Sequence, residues 1–87
     1  MPPITIYTLA FCPFCSRAMK LLDSKGATYE QIDVTFKPKV RSAMRERSSG
    51  ANTLPQIFIG ETHVGGCDDL HALEVAGALD PLLEGAA

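Results

Sequence analysis

Apolar positions along this chain recur with two different periods, and the switches between them mark its elements. Residues 4–8 (Ile-Thr-Ile-Tyr-Thr) are β-branched or aromatic throughout and predict a first strand. Behind them, Cys15, Ala18, Met19 and Leu22 fall at helical spacing. Pro13 suits the first turn of that helix, where the N–H it lacks would have no partner, and Gly26 supplies the stop. Residues 29–34 predict a second strand, and Phe36, Val40 and Met44, spaced by four, a second helix over about residues 37–47. Residues 48–52 are a loop by composition. Residues 56–59 read as a short buried strand, and Gly60-Glu61 as a tight turn into residues 62–64. Gly65-Gly66 is flexible, after which Asp68 or Asp69 begins a third helix carrying Leu70 and Leu73. Asp80-Pro81 looks like the N-cap and first position of a short last helix.

The order is therefore β-α-β-α-β-β-α-α. Strands joined through a helix are expected to be parallel, and the last two strands antiparallel. The fold class that follows is α/β: one four-stranded mixed sheet flanked by helices, in a single domain over residues 1–87. At 87 residues with 46% hydrophobic content, one compact but thin core is expected. Charged residues, at 21%, argue against disorder. No apolar run approaches a membrane span, and Met1-Pro2-Pro3 has no basic n-region of a signal peptide, so the expected location is cytoplasmic.

The formal charge is only −2, but it is unevenly spread. All 8 Lys and Arg lie at or before Arg47, whereas six of the 10 acidic residues follow it. This suits a mildly positive patch that attracts a small anion, against a background of ordinary solvated charges. No run interleaves basic and aromatic residues, so no nucleic-acid partner is expected.

The three cysteines, Cys12, Cys15 and Cys67, cannot form a fully paired framework. In a reducing compartment, a C-x-x-C pair after a strand and at a helix start reads as a redox motif. The nucleophile of thiol exchange is the thiolate. Unpaired first-turn N–H groups would face Cys12 and stabilise its negative charge. Cys15, one turn inside the helix, is placed to resolve a mixed disulfide. Lowering any thiol pKa by three units takes about 4 kcal/mol. A helix dipole gives about 0.3–1 kcal/mol, and up to about 2. Direct hydrogen bonds from backbone N–H groups, with the Cys15 thiol as a further candidate donor, must supply the rest. The competing reading of C-x-x-C is half of a zinc site, with Cys67, His63 or His71 completing the ligands.

Two further segments bear on this site. In Thr53-Leu54-Pro55 the proline either begins an edge strand or, if cis, turns the Leu54 backbone toward the cysteines, where it could pair with a peptide. Gly65-Gly66-Cys67-Asp68-Asp69 is either a plain helix cap or a cradle in which helix amides take a carboxylate and Asp68 an α-amino group.

Taken together, Ile-Tyr-Thr before Cys12-Pro13-Phe14-Cys15, then residues 53–59 (Thr-Leu-Pro-Gln-Ile-Phe-Ile) and residues 65–70 (Gly-Gly-Cys-Asp-Asp-Leu), resemble a dithiol glutaredoxin. The closing Leu79-Asp80-Pro81-Leu82-Leu83 resembles bacterial members of that family. The resemblance covers essentially the whole chain. It implies a thioredoxin fold with cis Pro55, and reduction of glutathione mixed disulfides through Cys12, with Cys15 needed for protein disulfides. Glutathione would be a co-substrate, with no bound cofactor and no metal, and the partners would be glutathionylated or disulfide-containing proteins met by a monomer. Phe14, Thr53, Leu54, Pro55, Gly66, Cys67 and Asp68 would bind glutathione: Phe14 lines the groove, Leu54 bonds the cysteine backbone, and Cys67 and Asp68 hold the γ-glutamyl end. Cys67 would be non-catalytic and open to glutathionylation. Leu9 and Ala51 stand where many members carry basic residues for the glycine carboxylate, and Arg41 or Arg45 is the expected substitute. The alternatives are a redoxin fed by thioredoxin reductase and a dimer bridging a [2Fe–2S] cluster; Pro13 argues against the second.

Overall fold

A computed structural model describes residues 1–85. In chain order the elements are β1 (Ile4–Thr8), α1 (Pro13–Ser24), β2 (Glu30–Asp33), α2 (Pro38–Arg47), β3 (Gln56–Ile59), β4 (Thr62–Gly65), α3 (Cys67–Val75) and α4 (Leu79–Leu83). The sheet order is β2-β1-β3-β4. β1 runs parallel to β2 and antiparallel to β3, and β3–β4 is an antiparallel hairpin, as the connections require.

Alternation along the strands sorts the core into two layers. Ile4 and Ile6 of β1 and Ile57 and Ile59 of β3 face one way, against Ala18 and Leu22 of α1, Leu70 of α3 and Leu79 and Leu83 of α4. Tyr7 and Phe58 face the other way, against Val34 and Met44 of α2. Arg47 closes this thinner second layer: its guanidinium carbon sits 4.0 Å over the Phe58 ring centre, and its Nη1 donates to the Tyr7 hydroxyl at 3.5 Å.

α1 ends as expected. Gly26 takes a φ of 67°, the left-handed turn that glycine adopts without a Cβ clash. Lys25, beside it, reaches across to Glu74 of α3 at 2.7 Å and Asp80 of α4 at 2.9 Å, tying three helices together.

Several boundaries differ from the sequence reading. β2 is shorter than residues 29–34 because Tyr29 turns back to α1, donating its hydroxyl to Asp23 at 3.0 Å. Phe36 is not part of the helical stripe. It lies before α2 with a φ of 58° and is 100% exposed. α3 begins at Cys67 rather than at Asp68 or Asp69, with Gly66 as N-cap. Asp69 is the third helical residue, and its carboxylate folds back to accept the Gly66 N–H at 2.9 Å. α4 begins at Leu79 with Ala78 as N-cap, so Asp80 and Pro81 are its second and third residues. Lys25 holds the Asp80 carboxylate, and a proline still fits the third position because first-turn N–H groups have no helical partners.

Candidate functional site

Cys12 is the N-cap of α1, in extended conformation, and is half-buried. Its Sγ accepts the backbone N–H of Cys15 at 3.1 Å. That N–H is one of the orphan donors of the first helical turn, and Pro13 removes a competing one. Such a bond to an ionised acceptor contributes about 1.5–3 kcal/mol, more than the dipole alone, so it favours the thiolate of Cys12. Cys15 is only 2% exposed, and its sulfur is paired with that of Cys12 across a Cα–Cα distance of 5.2 Å. One sulfur therefore faces outward and the other lies beneath it.

The Leu54–Pro55 peptide is cis. The Leu54 carbonyl oxygen lies 3.9 Å from Cys12 Sγ, so this loop forms one wall beside the nucleophile. A groove of about 370 Å³ runs away from it, lined by Phe14, Thr53, Leu54, Pro55, Gly66, Cys67 and Asp68, all of the glutathione-contact positions read from the sequence. Phe14 is half exposed at the groove edge.

Cys67, expected to help hold the γ-glutamyl end, lines the groove with its sulfur packed inward. It is 4% exposed, and its Sγ lies 3.5 Å from His71 Nδ1, one turn along α3. Burial, reinforced by Asp68 and opposed by Arg17, pushes its thiol pKa up. What Cys67 offers the groove is its first-turn backbone N–H. Asp69 accepts the Gly66 N–H, and the exposed carboxylate of Asp68 has no side-chain partner among the described residues.

Gln56, His63 and Asp69 also line the groove and were missed. Gln56 is 2% exposed and donates Nε2 to the Thr53 carbonyl at 2.9 Å and to Thr53 Oγ1 at 3.1 Å. A carbonyl only accepts, so the amide nitrogen must face Thr53 and Oε1 must face His63 Nε2, 2.7 Å away. His63 therefore carries its proton on Nε2 in this arrangement, and its ring stacks on Phe58 with centres 4.8 Å apart. The visible signal was an acid three residues after Gly66 for Asp69; nothing local marked Gln56 or His63.

Arg41 and Arg45 lie outside this groove. Arg41 donates Nε to Asn52 Oδ1 at 3.0 Å and Nη2 to the Asn52 carbonyl at 2.9 Å, which fixes it beside the loop that carries Thr53. Among the described residues, no group of three or more His, Cys, Asp or Glu side chains is arranged to hold a metal ion. Among the described residues, no helix is long and apolar enough to cross a membrane.

A mixed sheet in this order, with a C-x-x-C pair at the first helix start and a cis proline facing it, defines a thioredoxin-fold thiol–disulfide oxidoreductase. A sequence model of the family described as glutaredoxin matches residues 4–64. A glutaredoxin from Pseudomonas aeruginosa is 58% identical over 83 residues, covering 95% of this chain and 98% of that one. The solution structure of a Brucella melitensis glutaredoxin superposes with a TM-score of 0.86 at 54% identity, covering 100% of this chain and 94% of the other. A crystal structure of a buckwheat glutaredoxin–glutathione complex superposes with a TM-score of 0.87 at 31% identity, covering 98% and 79%. The chain belongs to the glutaredoxin family, whose members are glutathione-dependent thiol–disulfide oxidoreductases.

Proposed function

We propose that Cys12 is the nucleophile, Cys15 the resolving thiol and the adjoining groove the glutathione site. The observation that carries this is the Cys12 sulfur, held by the Cys15 N–H at 3.1 Å and 3.9 Å from the Leu54 carbonyl, which belongs to a groove walled by Thr53-Leu54-Pro55 and Gly66-Cys67-Asp68. The Leu54 backbone pairs with the cysteine of glutathione, the first-turn amides of α3 take its α-carboxylate, and Asp68 takes its α-amino group. Phe14 covers the tripeptide from the other side. Arg41, fixed by Asn52, places a positive charge near the glycine end, where Leu9 and Ala51 bring none. The buckwheat glutaredoxin solved with glutathione superposes on this chain, which supports the ligand assignment.

For a glutathionylated protein, the Cys12 thiolate attacks the glutathione sulfur. The Cys12–glutathione disulfide forms, the old disulfide breaks, and the protein leaves as a thiolate that takes a proton from water. A second glutathione thiolate then attacks that bond, releasing oxidised glutathione and restoring the Cys12 thiolate. For a protein disulfide, Cys12 bonds to the substrate first. Cys15 then attacks Cys12, losing its proton, and releases the dithiol substrate. Two glutathione molecules reduce the resulting Cys12–Cys15 pair. The chain acts on such partners as a monomer in the cytoplasm.

The test is glutathione-coupled reduction of a small mixed disulfide by the wild type, Cys12→Ser and Cys15→Ser. Activity is expected to vanish in Cys12→Ser and to persist in Cys15→Ser. Equal loss in both would show that the glutathione route needs both thiols, contrary to the mechanism above. An inactive wild type that still reduces insulin with thioredoxin reductase would assign a different electron donor.

A further inference from the structure

The hairpin of β3 and β4 carries a polar relay whose hydrogen bonds run in one direction. Gln56 stands at its centre and is buried. Its Nε2 donates to the Thr53 carbonyl at 2.9 Å and to Thr53 Oγ1 at 3.1 Å. An amide nitrogen carries two protons, so both are used there. Thr53 Oγ1 is therefore an acceptor toward Gln56, and the proton of its own hydroxyl is left over. Thr53 is exposed and lines the groove, so that proton is available to a group lying in it.

The other end of the Gln56 amide is held by His63, whose Nε2–H donates to Oε1 at 2.7 Å. His63 is exposed, and one hydrogen bond from a freely moving surface ring would fix little. This ring is not free. It stacks on Phe58, with centres 4.8 Å apart and planes 21° apart. Phe58 is 2% exposed, lies under the Arg47 guanidinium carbon at 4.0 Å and meets the Tyr7 ring edge-on at 5.9 Å. The second core layer thus holds the imidazole plane, the imidazole holds the Gln56 oxygen, and the Gln56 nitrogen holds both oxygens of Thr53.

We infer that His63 is a positioning residue for the glutathione step, acting through Gln56 to present the Thr53 hydroxyl as a hydrogen-bond donor to an acceptor oxygen of the bound tripeptide. This deepens the glutathione-site reading and rests on it. The imidazole supplies direction rather than charge: its Nε2–H is the group that orders the relay, and the ligand is met by Thr53.

The experiment uses Cys15→Ser protein, in which no resolving thiol removes glutathione from Cys12. The Cys12 thiolate attacks oxidised glutathione, bonds to one half and releases the other as glutathione thiolate. The equilibrium constant of that exchange is read by acid quench and mass spectrometry across ratios of reduced to oxidised glutathione. It reports how well the groove holds the tripeptide. Adding His63→Phe keeps an aromatic ring for Phe58 and removes the donor. It is expected to lower the constant roughly threefold, as the loss of one net hydrogen bond does, with Tm little changed. His63→Gln, which returns an N–H donor at similar reach, is expected to restore the constant. Thr53→Val removes the hydroxyl and should lower the constant by a similar factor. In the Thr53→Val background, His63→Phe is then expected to have no further effect, because the two act as one unit. An unchanged constant in His63→Phe, or a loss that persists beside Thr53→Val, overturns the inference. Asp68→Asn reads the site itself. An unchanged constant there brings down the groove assignment and this inference with it, whereas a lowered constant there and none in His63→Phe overturns this inference alone.

Discussion

The groove wall at Thr53 hangs on one buried amide, which makes Gln56→Leu an informative perturbation. Leucine is close to glutamine in size, so little cavity is created. Three hydrogen bonds disappear: two to Thr53 and one from His63. Each such bond contributes about 0.5–1.5 kcal/mol net. Thr53 and His63 are both exposed, so their freed groups meet water and the larger penalty for buried orphans does not apply. The three sum to about 1.5–4.5 kcal/mol, and the favourable burial of an apolar leucine side chain offsets part of this, leaving a loss of about 1–2 kcal/mol. For a domain of this size that lowers Tm by roughly 5–15 °C. A stability change alone would say little about function, so Gln56→Glu is the companion. Its carboxylate still accepts from His63 but cannot donate to the Thr53 carbonyl, and it repels that oxygen. In glutathione-coupled assays both variants should raise the KM for glutathione several-fold, about 1 kcal/mol of lost wall positioning. A lowered Tm with an unchanged glutathione KM in both would refute the idea that Gln56 positions the Thr53–Leu54 wall.

Other expectations can be checked alongside. Arg41→Ala should raise the glutathione KM by up to about fivefold with kcat little changed, as uniform binding predicts; Arg45→Ala, which lacks the Asn52 contact, should not. In the reduced protein at neutral pH, iodoacetamide with mass mapping should label Cys12 ahead of the buried Cys15 and Cys67, and burial also raises the Cys67 thiol pKa. Asp33 is held below its ordinary range by the Thr35 side chain and N–H, with Lys37 adding to it. Its contribution to stability is thus present above the unfolded carboxylate value and lost as pH falls through the folded one. Asp33→Asn should narrow the Tm difference between pH 7 and pH 3 in calorimetry. Lys25→Met, which leaves Glu74 and Asp80 without their shared cation, should lower Tm at pH 7 and lose that effect at acid pH, where both carboxylates are neutral.

The sheet was legible because β-branched runs with turn residues between them leave few alternatives: β1 and β3 fall on the residues expected of them. The dithiol was legible from Pro13 and the C-x-x-C spacing. What escaped the sequence depended on residues far apart. Asp80 looked like a cap until Lys25, 55 positions earlier, drew its carboxylate away. Gln56 looked like an ordinary strand residue, and its value came from facing both Thr53 and His63. Phe36 fitted a helical stripe by spacing alone, and only the left-handed turn before α2 shows that its ring points to solvent.

The two outer strands of the sheet bear on how such a molecule survives at high concentration. An unpaired strand edge is a template on which another chain can crystallise into a growing sheet, and a protein that must keep aromatic rings and a reactive sulfur in the open has few other safeguards. β2, at one margin, reads Glu30-Gln31-Ile32-Asp33, with a negative charge at each end and only four residues to copy. Two such edges brought together would set like charges against each other. The acidity of this margin therefore disfavours edge-to-edge pairing between copies of the chain. Neutralising Glu30 and Asp33 together would leave catalysis in place and shorten the shelf life of concentrated solutions.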